Sequence, residues 1–239
     1  MYKAGALLLM ALVPAPAQDP REPPSPANAT EVVHRLVQMN KKRAATLKGY
    51  TVTQRYVLDN SRFNRHAELT ARMTYTAPDK RQFVVLSETG SSWVRNHVFR
   101  KLLQAEVDGA HRETQITPDN YRFELLGTKM LDGRSAYLLE ATPKTKGALL
   151  FRGRVWVDAV DGAVARIEGG PAQNPSFWTT KVHFVHGNQK HGAYWLSASN
   201  VSHTEVRIFG STDLKVEYFD YDIKSADGPK GADPPAVRP

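Results

Sequence analysis

The chain has 239 residues, with 32 lysines and arginines against 24 aspartates and glutamates, for a formal net charge of +8. It contains no cysteine, which excludes a disulfide framework, a thiolate metal site and an acylated N-terminal cysteine. The length suits one large β domain or two small ones, and the basic balance favours anionic lipid, anionic glycan or acidic protein partners.

Residues 1–17 read as a cleavable secretory signal peptide. Lys3 gives a positive start, Ala4 to Val13 form a short apolar core, and Ala15-Pro16-Ala17 is a small-x-small cleavage site. The core is too short for a membrane span, which needs roughly 20 apolar residues, and no later stretch approaches that length. An exported chain is a poor partner for nucleic acid. Residues 18–29 are proline-rich and read as an extended linker.

The spacing predicts a helix over 30–48. Thr30 stands at the N-cap, Glu31 is in the first turn, and Val33, Leu36, Val37, Asn40, Ala44 and Leu47 recur at helical spacing. Lys41, Lys42 and Arg43 suit the C-terminal end of the dipole, and Gly49 occupies the position of a C′ glycine.

Alternation then takes over. Tyr50, Val52, Gln54, Tyr56 and Leu58 share one face of a strand, and Ala67, Leu69, Ala71, Met73 and Tyr75 share one face of the next. Residues 83–86, Phe-Val-Val-Leu, are apolar on both sides and predict a short strand covered on both faces. A second helix is expected over 92–107, with Val94, Val98 and Leu102 in one row and Phe99 and Leu103 in another. Arg95, Arg100 and Lys101 make a basic face, either solvated or set toward phospholipid headgroups or an acidic partner.

From Tyr121 the chain reads as strands. Tyr121, Phe123 and Leu125 share a face, and Asp132-Gly133 turns into a strand carrying Tyr137, Leu139 and Ala141. A hairpin around Asp161-Gly162 follows. Phe151, Val155 and Val157 lie on one face of its first strand and Ala163, Ala165 and Ile167 on one face of its second, with Arg152, Arg154, Arg166 and Glu168 opposite. Further strands are expected at 178–186, with Trp178, Val182 and Phe184 on one face, and at 193–201, 204–209 and 213–223. Residues 225–239 read as a disordered tail. Eleven strand candidates that do not alternate with helices predict an α+β fold. The expected architecture is one strongly curved antiparallel sheet, an incomplete β-barrel over 30–224 lidded by two or more helices.

An ordered series of motifs carries a family resemblance: Phe123-Glu-Leu-Leu-Gly127, Asp132-Gly-Arg-Ser-Ala-Tyr-Leu-Leu-Glu-Ala-Thr-Pro-Lys144, Val155-Trp-Val-Asp158, Asp161-Gly162 and Ala165-Arg-Ile-Glu168. Asn174-Pro-Ser-Phe-Trp178, Phe209-Gly210 and Val216-Glu-Tyr218 extend it. Over roughly Glu31 to Ile223 the series resembles the outer-membrane lipoprotein-sorting (LolA/LolB-like) superfamily of periplasmic carriers. The resemblance implies a half-barrel lidded by helices that carries acyl chains of lipoproteins or other lipids across the periplasm toward the outer membrane. Membrane-protein donors and acceptors are implied as partners. Related members sense envelope stress by binding a membrane protein, which is the alternative function. None of the motif residues is catalytic, and no cofactor is expected.

Little other chemistry is visible. His183 and His186, three apart on a strand, face opposite ways and make a poor metal pair, with His191 nearby. No hydrolase or phosphate-loop motif occurs, so a secreted hydrolase is the weakest reading. Glu140 and Glu168 read as solvated strand carboxylates, and Asp158 and Asp161 as turn residues. The expected acyl-chain lining is Tyr56, Leu69, Met73, Phe83, Val85, Phe123, Tyr137, Leu139, Phe151, Val155 and Phe184 on the concave face; the aromatic members read equally as plain core, depending on whether the helices fill the concavity.

Overall fold

The computed structural model describes residues 28–108, 115–147, 150–173, 179–207 and 210–226. The expected signal peptide, nearly all of the proline-rich linker, Asn174 to Trp178, Phe209 and most of the tail lie outside the described residues.

The first helix, α1, spans Ala29–Thr46. Its cap is Asn28 and not Thr30: the Asn28 side chain accepts from Glu31 N at 3.1 Å. Arg35 and Glu31 pair one turn apart at 2.8 Å. The helix passes directly into strand β1, Leu47–Asn60, so Gly49 is no C′ glycine. It lies inside the strand, where a Cβ would stand 2.5 Å from the Tyr75 carbonyl oxygen. The glycine serves a close approach of two backbones, which sequence spacing cannot tell from a helix stop.

The remaining strands are β2 (Arg65–Thr76), β3 (Lys80–Gly90), β4 (Tyr121–Leu131), β5 (Arg134–Pro143), β6 (Phe151–Asp158), β7 (Val164–Pro171), β8 (Thr179–His191), β9 (Tyr194–Val206) and β10 (Gly210–Ser225). They form one antiparallel sheet in the order β3-β2-β1-β10-β9-β8-β7-β6-β5-β4. Among the described residues there are ten strands where eleven were expected, because 194–201 and 204–206 belong to one continuous strand, β9. The first and last strands pair in the middle of the sheet. β3 and β4, consecutive in the chain, are thereby left at opposite edges, and the curved sheet stays unclosed.

β3 is longer than expected and is an edge strand. Val84, Val85 and Leu86 are exposed, contrary to the expectation of cover on both faces. An edge strand can carry an apolar run without a layer on each side, and sequence alone does not separate the two cases.

Residues directly opposite each other on antiparallel strands point to the same side. One such row crosses nine strands: Leu69, Tyr56, Val216, Asn200, His186, Ile167, Val155, Leu139 and Leu125. The same side carries both helical segments. α1 sets Val32, Val33 and Leu36 against Tyr137, Leu139, Phe151, Val155 and Val157 in the β4–β7 half. The second helical segment packs Val94 and Phe99 against Tyr56, Leu58, Ala67 and Leu69 in the other half.

That second segment is not one α-helix. It comprises α2 (Ser92–Val94), a π-helical turn (Arg95–Phe99) and α3 (Arg100–Asp108). The π turn explains its burial pattern. Val94 and Phe99, five apart, are both fully buried, which suits the i→i+5 spacing of a π-helix and not the three- and four-residue rows read from the sequence.

Bulges account for the other departures. A register shift between Trp156 and Val157 opposite β7 pairs Val157 with Val164. Ile167 thus joins the α1 core, while Ala163 and Ala165 fall in a separate cluster with Leu131 and Trp195, instead of all three sharing a face. In β10 the left-handed Asp220, at φ 55°, interrupts pairing with β1 between Thr51 and Thr53.

Both Asp-Gly pairs lie in hairpin turns, but only the first makes a tight two-residue loop; Asp161-Gly162 lies in a longer loop between Asp158 and Val164, with positive φ at Gly162 alone. Asp132 and Gly133 both have positive φ, 49° and 78°, in a two-residue hairpin loop. At the other, Asp158 is almost fully buried. It accepts from Val160 N and Asp161 N and holds Arg134 through two contacts of 2.6 and 3.1 Å. Asp161 in turn binds Lys190 and the Trp195 indole. The turn reading of both aspartates holds, with Asp158 also the anchor of a cross-strand ion pair.

Candidate functional site: the concave face and its cleft

All eleven residues named as an acyl-chain lining lie on the helix-covered side of the sheet. Leu69, Tyr56, Leu139 and Val155 are in the row above. Met73 pairs with Phe83, and Val85 with Ala71, on β2 and β3. Phe123 pairs with Ala141, Tyr137 with Val157, and Phe184 with Ser202. Phe151 follows Val155 by the period of two. The charged residues Arg72, Arg154 and Lys181 are on the opposite side. There Arg154 sits between Glu140 and Glu168, 3.6 Å from the latter. These carboxylates belong to the outer charged face.

The eleven do not share one environment. Tyr137, Leu139, Phe151 and Val155 are buried beneath α1, with Phe123 and Phe184 packed at the margin of that core. Phe151 meets Tyr121 and Phe184 at ring separations of 5.1 and 6.0 Å. Tyr56 and Met73 are buried toward the other half. Leu69, Phe83 and Val85 alone of the set border an open cleft of about 470 Å³ between the β2–β3 edge and α3.

The rest of the cleft wall is Glu88 from β3 with Arg100, Leu103, Gln104 and Val107 from α3. Sequence reasoning placed Leu103 on an apolar stripe and Arg100 on a basic face but could not bring them together. Their convergence depends on the π turn and on β3 being an edge. Both ends of the cleft are tied. Arg95 pairs with Glu88 at 3.0 Å, and Arg81 Nη1 donates to the Glu106 carbonyl at 3.2 Å.

Beside the cleft the concave face becomes polar. The Tyr56 hydroxyl donates to Glu106 Oε1 at 3.1 Å and contacts the Gln54 amide oxygen. Burial pushes the Glu106 carboxyl above the usual carboxylate range, opposed by the Tyr56 hydroxyl, the Arg81 charge and Gln54. Burial likewise raises the Tyr50, Tyr56, Tyr218 and Tyr221 phenols. Farther across, His186 lies against Asn188 and Ser197 at 3.2 and 3.4 Å, and burial holds its imidazole below the usual histidine range. His183 pairs with His203 on the other face. Among the described residues no three or more histidine, aspartate or glutamate side chains converge as metal ligands would.

The architecture is therefore an open antiparallel half-barrel, one half filled by a helix and the other left with a cleft. No family model matches the chain, and no curated protein matches it. Several solved structures are similar. A DUF1329 family protein from Desulfovibrio piger is 12% identical, with 84% of this chain and 94% of that chain covered at a TM-score of 0.43. A protein described as an outer membrane lipoprotein-sorting domain, from Vibrio parahaemolyticus, is 12% identical over 83% and 95%, TM-score 0.42. A LolA superfamily protein from Nitrosomonas europaea is 8% identical over 83% and 94%, TM-score 0.41. The last two carry names from the superfamily that the sequence motifs resemble. At identities of 8–12% and TM-scores of 0.41–0.43, these likenesses assign no role to any residue of this chain.

Proposed function

We propose that this chain is a periplasmic, non-enzymatic carrier that holds acyl chains of lipoproteins or other lipids on its way to the outer membrane. The supporting observation is the cleft walled by Leu69, Phe83, Val85, Leu103 and Val107 at the open side of the half-barrel. Its volume is within the range of about 300–1,000 Å³ of small-molecule sites. The chemistry is passive. Each buried methylene contributes about 0.8 kcal/mol, so about six of them contribute roughly 5 kcal/mol, part of which ordering of chain and wall offsets. Release then needs only a membrane or partner that offers the chain an equal or better site.

Native mass spectrometry of the protein purified from its own envelope tests this. The expected spectrum carries a retained acylated species. Protein that retains none, and that also fails to bind a fluorescent fatty acid, would falsify the carrier reading.

A second reading, a regulator that binds a membrane protein, draws on a different observation. Val84 and Leu86 stand exposed on the edge strand β3, which among the described residues pairs on one side with β2 alone, and such an edge can accept a strand from another chain.

A further inference from the structure

At one end of the sheet the β1–β2 turn meets the start of α2. Ser91 N donates to the His66 carbonyl at 3.1 Å, which fixes the start of the helix over the start of β2. Phe63 from the turn and Trp93 from α2 come together there, 47% and 54% exposed. The Arg65 guanidinium serves both rings, its carbon 5.7 Å from the Phe63 centroid and 5.5 Å from the Trp93 centroid. His97 stacks on Trp93 at 5.2 Å, and its Nδ1 donates to the Trp93 carbonyl at 3.0 Å. The indole is thus held by neighbours while its surface stays in water.

The charge around it is basic. Arg62 is exposed in the same turn, and Arg100 and Lys101 are exposed farther along the helical segment. The adjoining acids are already engaged: Glu88 with Arg95, Asp59 with His66, and Glu68 with Arg55 and His66. Two exposed rings that share one guanidinium, with further exposed cations on the adjoining turn and helical segment, are costly to leave facing water. They match a layer in which apolar and phosphate groups lie within a few ångströms of each other. Indole and phenyl rings settle at that depth, while guanidinium groups bind phosphate through paired donors. The net charge of +8 adds attraction at longer range.

We infer that this tip is a docking surface for an anionic phospholipid bilayer. Trp93 and Phe63 enter the headgroup layer, and Arg62, Arg65 and Lys101 face phosphates. An acidic protein surface satisfies the cations but leaves the two rings without an apolar layer. The surface stands apart from the question of what the cleft holds. It does give the cleft an orientation, since Arg100 lies on the cleft wall one helical segment from Trp93.

The test is co-sedimentation of the full-length mature chain with vesicles of phosphatidylcholine alone or mixed equally with phosphatidylglycerol. Wild type is expected to bind the anionic vesicles at least about tenfold more strongly, less so as salt rises. Arg65→Gln should weaken binding about fivefold, the share of one basic residue near an anionic surface. Trp93→Ser should weaken it by about as much or more, while Arg152→Gln, a charge-matched control on the outer face of β6, stays close to wild type. Vesicles should shift wild-type tryptophan emission to the blue, and Trp93→Phe should lose most of that shift. Circular dichroism melting shows that each variant is folded.

Equal binding to both vesicle types overturns the inference. So does an Arg65→Gln or Trp93→Ser effect no larger than that of Arg152→Gln. Binding to polyglutamate with the same residue dependence, without binding to vesicles, also overturns it and assigns the surface to an acidic protein.

Discussion

Replacing Val85 by glutamate separates ligand binding from folding, because Val85 borders the cleft and is 48% exposed. In the empty protein the new carboxylate stays in water, and the change in stability should be within about 0.5 kcal/mol, as for ordinary surface substitutions. With an acyl chain in the cleft the carboxylate must lose water or take up a proton. The protein mutational scale puts that cost at about 1–3 kcal/mol, or roughly 5- to 150-fold in affinity. Leu69 makes the contrast. It borders the same cleft but is 2% exposed and belongs to the cluster with Val94 and Phe99. Truncating such a leucine to alanine costs about 2–5 kcal/mol, and a charge adds to that, against a total stability of about 5–15 kcal/mol. Leu69→Glu should therefore lower the melting temperature severely or prevent folding. The assay pairs circular dichroism melting with titration of a fluorescent fatty acid. Val85→Glu with wild-type melting and wild-type affinity would show that acyl chains do not use this cleft. Loss of fold in Val85→Glu, or wild-type melting in Leu69→Glu, would show that the two walls have been assigned wrongly.

Two further outcomes follow from the polar contacts. Asp158→Ala should destabilise the fold by about 2–3 kcal/mol, because the Val160 and Asp161 amides lose their acceptor and Arg134 its bidentate partner; a denaturant midpoint unchanged from wild type would contradict this. Glu106→Gln tests the buried carboxyl, which faces Tyr56, Gln54, Arg81, Tyr50, Tyr218 and Tyr221. Its folded pKa is raised, so the native state holds the proton more tightly than the unfolded chain does. The native state is favoured below the unfolded value, and that advantage is lost as pH rises through the folded value. Glu106→Gln should thus melt above wild type at pH 7, with the gap closing toward pH 4. A gap that widens on acidification would mean that the carboxylate is stabilised as an anion.

Much of the sheet was legible because period two is a direct property of strands. The runs through Tyr50–Leu58 and Ala67–Tyr75 keep their faces from end to end, and both Asp-Gly turns sit where positive φ is required. Other features depended on partners distant in sequence. Gly49 is fixed by the Tyr75 carbonyl across a strand, and the bulge opposite β7 moves Ala165 away from Ile167. The exposure of β3 depends on β4 pairing elsewhere. The concave lining could be read from alternation, but its division could not. Whether Leu139 or Val85 meets solvent depends on which helix lies above it and how completely it fills the space. The π turn, which brings both Val94 and Phe99 to the sheet, has no signal in an α-helical period.

That division decides where the half-barrel can open. Lifting α1 would expose Val32, Val33 and Leu36, all buried against the β4–β7 half. At about 1.5–3 kcal/mol for each large apolar side chain, the cost is comparable with the stability of a whole domain. α1 is therefore a fixed cover of that half and not a movable one. α3 is held differently. Leu102 and Leu103 are only partly buried, Val107 is exposed, and the Glu106 carboxyl loses hydration where it contacts Tyr56. Displacing α3 forfeits less apolar burial and rehydrates a carboxyl, so the cost per turn of helix is lower. Phe99 and Val94 remain anchored at the N-terminal side of that segment, in and before the π turn. On the proposed function, an acyl chain longer or bulkier than the cleft admits would accordingly be accommodated by movement of α3 away from β3, with the half beneath α1 unchanged.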